Sequence, residues 1–207
     1  FGIGATTSYE VAAIDYNPPF PFTGGTEMPI TSDDDYTASF DLPFNFCFFG
    51  ESYEYVRVGD NGVITFGLPY TTTYGEYCPY VLNGTIPNTN FNIKNAIYGV
   101  FSDMYTTNNP GPNTSINYQV LGTYPCRAFV VNFNEVPAFG SSCTGAQYRT
   151  TTQIVLYEIS NIIEVYVKDR NACTSWQDGR GLLGIQNAAG TSAYVPPGRN
   201  TGEWHDT

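Results

Sequence analysis

Between residues 40 and 67 apolar and polar positions follow the period of two that belongs to strands. In FDLPFNFCFF the residues Leu42, Phe44, Phe46 and Phe48 fall on one face, and Gly50 ends the run. Tyr53–Val58 reads as a second strand, with aromatic and β-branched residues on both faces. Asp60-Asn61-Gly62 then predicts a tight hairpin of type I′, because Asn and Gly tolerate the positive φ it requires. Val63–Phe66 returns antiparallel to Tyr53–Val58. A meander apolar on two faces needs a second sheet to cover it, so the rest of the chain is read around this unit.

Further strands are predicted at Ala96–Met104, Ile116–Leu121, Arg127–Val136, Tyr148–Ile159, Ile162–Lys168, Gly181–Asn187 and Ala193–Val195. With Ser160-Asn161 as the turn, Ile154, Leu156 and Glu158 share a face with Ile163, Val165 and Val167. Val155, Tyr157, Ile162 and Tyr166 lie on the other face. Tyr9–Tyr16 reads as an edge strand, and NPPFPFTGGTEMP as an extended run anchored by Phe20 and Phe22. Residues 68–95 form a long loop without periodicity, and PPGRNTGEWHDT ends the chain in loop-like sequence. Helical periodicity nowhere lasts beyond a turn or two. The prediction is an all-β, two-sheet antiparallel β-sandwich, jelly-roll-like, with long loops. It covers 1–207 as a single domain, with 1–39 an extended N-terminal segment packed on it.

Composition narrows the function classes. The chain carries 19 acidic against 8 basic residues, a net charge of −11, and its bases are scattered. That surface repels nucleic acid and anionic membranes, since both attract through clustered Lys and Arg. No run approaches the eighteen or so apolar residues of a membrane-spanning helix. The single histidine, His205, lies near the end of the chain, which argues against a histidine-dependent triad. The five cysteines include no CxxC pair, so disulfides are favoured over zinc. The expected pairs are Cys47–Cys78 and Cys143–Cys173, with Cys126 free.

Three sets of residues could carry chemistry. Tyr70, Tyr74, Tyr77 and Tyr80, with Trp176, offer flat aromatic faces with polar edges, suited to stacking on sugar rings. Asp33, Asp34 and Asp35 are adjacent, and Asp60 and Asp103 are further loop acids. The predicted metal ligands are Asp33, Asp34, Asp35 and Asp103, an all-oxygen set of the kind that holds Ca2+. Glu135 and Glu158 lie on predicted strands and supply the carboxylates of a conceivable glycosidase pair.

The runs LPFNFCFFGESYEYVRVGDNGVITFG, AIYGVFSDM, PCRAFVVNFNEVP, TTQIVLYEISNIIEVYVKD and GLLGIQNAAGTSAYVPPGRNTGEW carry a resemblance. Their order is similar to that of the extracellular nidogen-type (NIDO) domain. They also resemble a domain of large Bacteroidota surface adhesins, the type IX secreted and gliding-motility-associated proteins. Asn61-Gly62 and Val136-Pro137 match the pattern, whereas Phe133 stands where Trp is usual. The resemblance runs from Tyr9 to Trp204 and carries over no catalytic residues. It implies a secreted β-sandwich module that is part of a longer surface protein.

The expected function is therefore a non-catalytic adhesion or interaction module at the bacterial outer cell surface. Its partners would be a surface glycan or protein ligand and neighbouring domains of the same chain. The alternatives are a structural cap or spacer of a surface filament, and a carbohydrate-active enzyme using paired carboxylates.

Overall fold

The computed structural model describes residues 6–30, 32–108 and 110–206. Its first strands are β1 (Thr26–Glu27), β2 (Asp35–Tyr36), β3 (Phe40–Phe48), β4 (Glu51–Gly59), β5 (Val63–Thr65), β6 (Glu76–Tyr77) and β7 (Ala96–Phe101). There follow β8 (Ser115–Leu121), β9 (Ala128–Pro137), β10 (Arg149–Tyr157), β11 (Ile163–Asp169), β12 (Arg180–Gln186), β13 (Ala193–Tyr194) and β14 (Asn200–Glu203). One antiparallel sheet has the order β1-β8-β9-β10-β11. The other has the order β13-β12-β7-β5-β4-β2-β6, with β14 on β12 and β3 on β4. The two sheets are not closed into a barrel, and the architecture is a β-sandwich.

The central core lies between the sheets. Phe46, Phe48, Val56, Val58, Ile64 and Ile97 from one meet Ile116, Phe129, Val131, Phe133, Ile154 and Leu156 from the other. Burying side chains of this size is worth about 1.5–3 kcal/mol each, so this layer is what joins the sheets. The β10–β11 register, Ile154↔Val165 and Leu156↔Ile163, puts the expected residues on the core face. Val155, Tyr157 and Tyr166 pack on the outer face.

Two expectations need correcting here. Residues 60–62 form no type I′ turn: Gly62 has φ +84°, but Asn61 keeps a negative φ. Gly59 pairs with Val63, and the Gly62 N–H bonds to the Gly59 carbonyl, which is a three-residue loop with a glycine bulge. A Cβ on Gly62 would fall 2.1 Å from the Val100 carbonyl oxygen, so the loop lies directly against β7. Tyr9–Tyr16 is not a strand. Tyr9 packs on Phe48, Phe49 and Tyr194, while Val11, Ile14 and Tyr16 stay exposed with no ladder partner. Apolar alternation is shared by strands and by extended segments held through their side chains.

The run after it is held by such side chains. Proline lacks an N–H for a ladder, and the carbonyls of residues 20–22 are bonded instead by amides of the five-stranded sheet. Gln153 Nε2 donates to Phe20 O, Asn132 Nδ2 to Pro21 O, and Asn117 Nδ2 to Phe22 O. Asn132 also donates to Asn117 Oδ1, and Gln153 to Asn132 Oδ1, so the three buried amides form a ladder across β8, β9 and β10.

The cysteines divide differently from expectation. Cys143–Cys173 is a disulfide, with a Cα–Cα distance of 5.8 Å. Cys47 and Cys78 are not joined, and Cys126 is an exposed thiol. Cys47 sits opposite Ser52, whereas Cys78 packs against Gly59 at the other end of β4. Seven strand residues separate those ends by roughly 23 Å, far beyond the reach of about 7 Å that a disulfide allows.

Candidate functional site

At one end of the nine-stranded sheet three segments converge. The chain entering β2 brings Asp33 and Asp34, the β4–β5 loop brings Asp60 and Asn61, and the residues after β7 bring Asp103. Carboxylate oxygens of Asp33, Asp34 and Asp103 all lie within 4.8 Å of one another.

Asn61 is the hub of the arrangement. Its Nδ2 donates to Asp34 Oδ1 at 3.0 Å and its Oδ1 accepts the Met104 N–H at 2.8 Å. Asp60 is fully buried, and its Oδ1 accepts the Asp35 N–H at 3.2 Å. Among the described residues its Oδ2 has no hydrogen-bond partner, and neither does the buried Asp33 Oδ1. Asp103 is 7% exposed, and its Oδ2 accepts from Trp176 Nε1 at 2.7 Å and Gln177 Nε2 at 3.1 Å.

Burial pushes all four carboxyls up. Asp60 rises to about 9, Asp103 to about 7 and Asp33 to about 6, and Asp34 also rises. Their mutual charges add to the effect, while the bonds from Asn61, Trp176 and Gln177 oppose it. None of the groups that dominate their ionisation is a base.

Three of the four predicted ligands thus come together. Asp35 does not: its backbone holds Asp60, while its side chain lines a shallow groove of about 200 Å³ with Ile30, Tyr36 and Tyr74. Asp60 takes its place in the cluster. The reading of Asp60-Asn61-Gly62 as a turn alone hid this. Nothing local in the sequence marks Gln177 as a partner of Asp103.

The aromatic residues also divide. Tyr77, Tyr80 and Trp176 border the acid cluster. The Tyr77 hydroxyl lies in the field of Asp34 and Asp103, and Gln177 Nε2 reaches Tyr80 O at 3.5 Å. Tyr77 is 62% exposed, whereas Trp176 is only 37% exposed and rests on Phe139. The Trp176 N–H bonds to the Cys173 carbonyl, so the disulfide fixes this loop beside the one that holds Gly140. Tyr70 and Tyr74 lie elsewhere, Tyr70 against Tyr55 and Asp41, Tyr74 towards Tyr118.

Glu135 and Glu158 are not brought together. Glu158 chelates Arg127 at the start of β9, with bonds of 2.9 Å to Nε and 3.0 Å to the backbone N–H. Glu135 stands eight residues along, roughly 26 Å away, and bonds to Asn113. That pair cannot span one glycosidic bond, which needs carboxyls within about 10 Å.

Fold and site together define an antiparallel β-sandwich that carries polar and aromatic loops, with an acid cluster at one end of its larger sheet. The family comparison is specific: the NIDO-related model matches residues 8–203. The chain belongs to the NIDO-related family. No match was found among curated proteins or among solved structures. Among the described residues no helix is long and apolar enough to cross a membrane.

Proposed function

We propose that this domain is a secreted interaction module of a bacterial cell surface, of the kind found in large Bacteroidota adhesins, and that it binds glycan. The observation that carries the reading is the exposure of Tyr70, Tyr74 and Tyr77, 53%, 42% and 62%, along the segment that leads into and includes β6. Burying rings of this size would be favourable, yet the fold leaves them in water, as a contact surface requires. Family membership and the Cys143–Cys173 bridge, which suits an oxidising compartment, agree with export.

A glycan array of the wild-type chain alongside Tyr74→Ala and Tyr77→Ala tests it. These exposed rings support no core, so both variants are expected to fold as wild type and lose tenfold or more in binding. Unchanged binding in both would remove the loop from the site. Absence of any bound glycan would favour a spacer role.

A further inference from the structure

We infer that Asp33, Asp34 and Asp103, backed by Asp60, bind one calcium ion. Clustered acids on a surface are ordinary, and their proximity alone would carry nothing. Here a second observation points to a ligand. Asp60 is wholly buried, the charges of Asp34 and Asp33 act on it, and its Oδ2 has no hydrogen-bond partner among the described residues. A buried carboxylate oxygen without a donor is costly, and the fold bears this cost at the place where three other carboxyls converge. Asp33 Oδ1 is a second such oxygen.

A cation answers both deficits at once. Oxygens held 2.3–2.6 Å from calcium lie at most about 5 Å apart, and those of Asp33, Asp34 and Asp103 meet that limit. Asp34 and Asp103 each spend one oxygen on the bonds from Asn61, Trp176 and Gln177. Those bonds fix the orientation of the carboxylates, which is the work of groups around a metal ligand. All ligands are oxygens, and they come from irregular segments rather than a rigid octahedral cage, which favours calcium over magnesium. The ion would tie the chain before β2 to the β4–β5 loop and the end of β7, beside Tyr77 and Trp176. The inference does not depend on glycan binding.

The test is calorimetric titration of the 207-residue chain with CaCl2 and with MgCl2 after EDTA treatment, together with melting curves. One calcium per chain is expected, with the melting temperature raised by about 5–10 °C at a hundredfold excess over Kd. Asp34→Asn and Asp103→Asn are expected to weaken calcium binding tenfold or more. Asp33→Asn, at a half-exposed position, checks that the loss is not a folding defect, and its melting temperature in EDTA should be no lower than that of wild type. No heat and no shift up to millimolar calcium would overturn the inference. So would an equal response to magnesium, or undiminished calcium binding in all three variants.

Discussion

Two places in this domain bury carboxylates, and they solve the problem in opposite ways. Where the end of β10 lies beside the start of β9, Glu158 meets the Arg127 guanidinium and backbone N–H, and its carboxyl is held below the usual range by them. At the end of the nine-stranded sheet, Asp60 and its three neighbours have no base to answer them among the described residues, and burial drives their carboxyls up. The first is complete within the chain. The second is complete only with something added, a proton or a cation, and burial by itself does not distinguish a structural acid from a ligand-binding one. The partner does.

The contrast can be broken at several points. The largest effect is expected from Gly62→Ala, which forces a Cβ against the Val100 carbonyl at a positive φ and displaces the loop bearing Asp60 and Asn61. A loss of about 3 kcal/mol in urea unfolding is expected, along with loss of any calcium response. Next comes a pair of substitutions with opposite signs. In EDTA at pH 8, Asp60→Asn should raise stability by about 1–3 kcal/mol, because the raised carboxyl must take up a proton to be buried at that pH and the amide need not. Glu158→Gln should lower stability, because it leaves Arg127 unanswered. The same sign for both in denaturant titrations would dissolve the contrast.

A smaller effect is expected from pH. The raised carboxyls bind more protons folded than unfolded, so without calcium they lower stability as pH rises from about 4 towards the Asp60 value of about 9. The depressed Glu158 acts in the other sense. Its contribution is present above the ordinary carboxylate range and lost as pH falls through its lowered folded value. Melting temperatures from pH 5 to 9 in EDTA should therefore drift downward, and Asp60→Asn should flatten the drift.

Much of the fold was legible because strands of six residues or more express a period. Phe44, Phe46 and Phe48 face the core as their spacing requires, and so do Ile154 and Leu156. The two-residue strands β1, β2 and β6 were not legible, since two residues cannot show a period, and β13, equally short, was placed only because Ala193–Val195 is an apolar run. Nor was β14, which crosses the polar stretch Asn200–Glu203. For the site, the adjacency of Asp33 and Asp34 and the place of Asp103 at a strand end were visible. Asp60 was hidden because a DNG triplet normally marks a solvated turn, whereas here the loop lies against β7 and Asp60 is buried. The cysteines show the same limit. Cys143 and Cys173 lie in loops that meet, whereas Cys47 and Cys78 pack at opposite ends of β4.

The most direct measurement is a crystal structure grown with calcium, with anomalous scattering used to find the ion. The account expects one peak about 2.3–2.6 Å from carboxylate oxygens of Asp33, Asp34 and Asp103, with Asp60 turned towards it. A map with no peak there, and the same four side chains linked by shared protons or water, would contradict it.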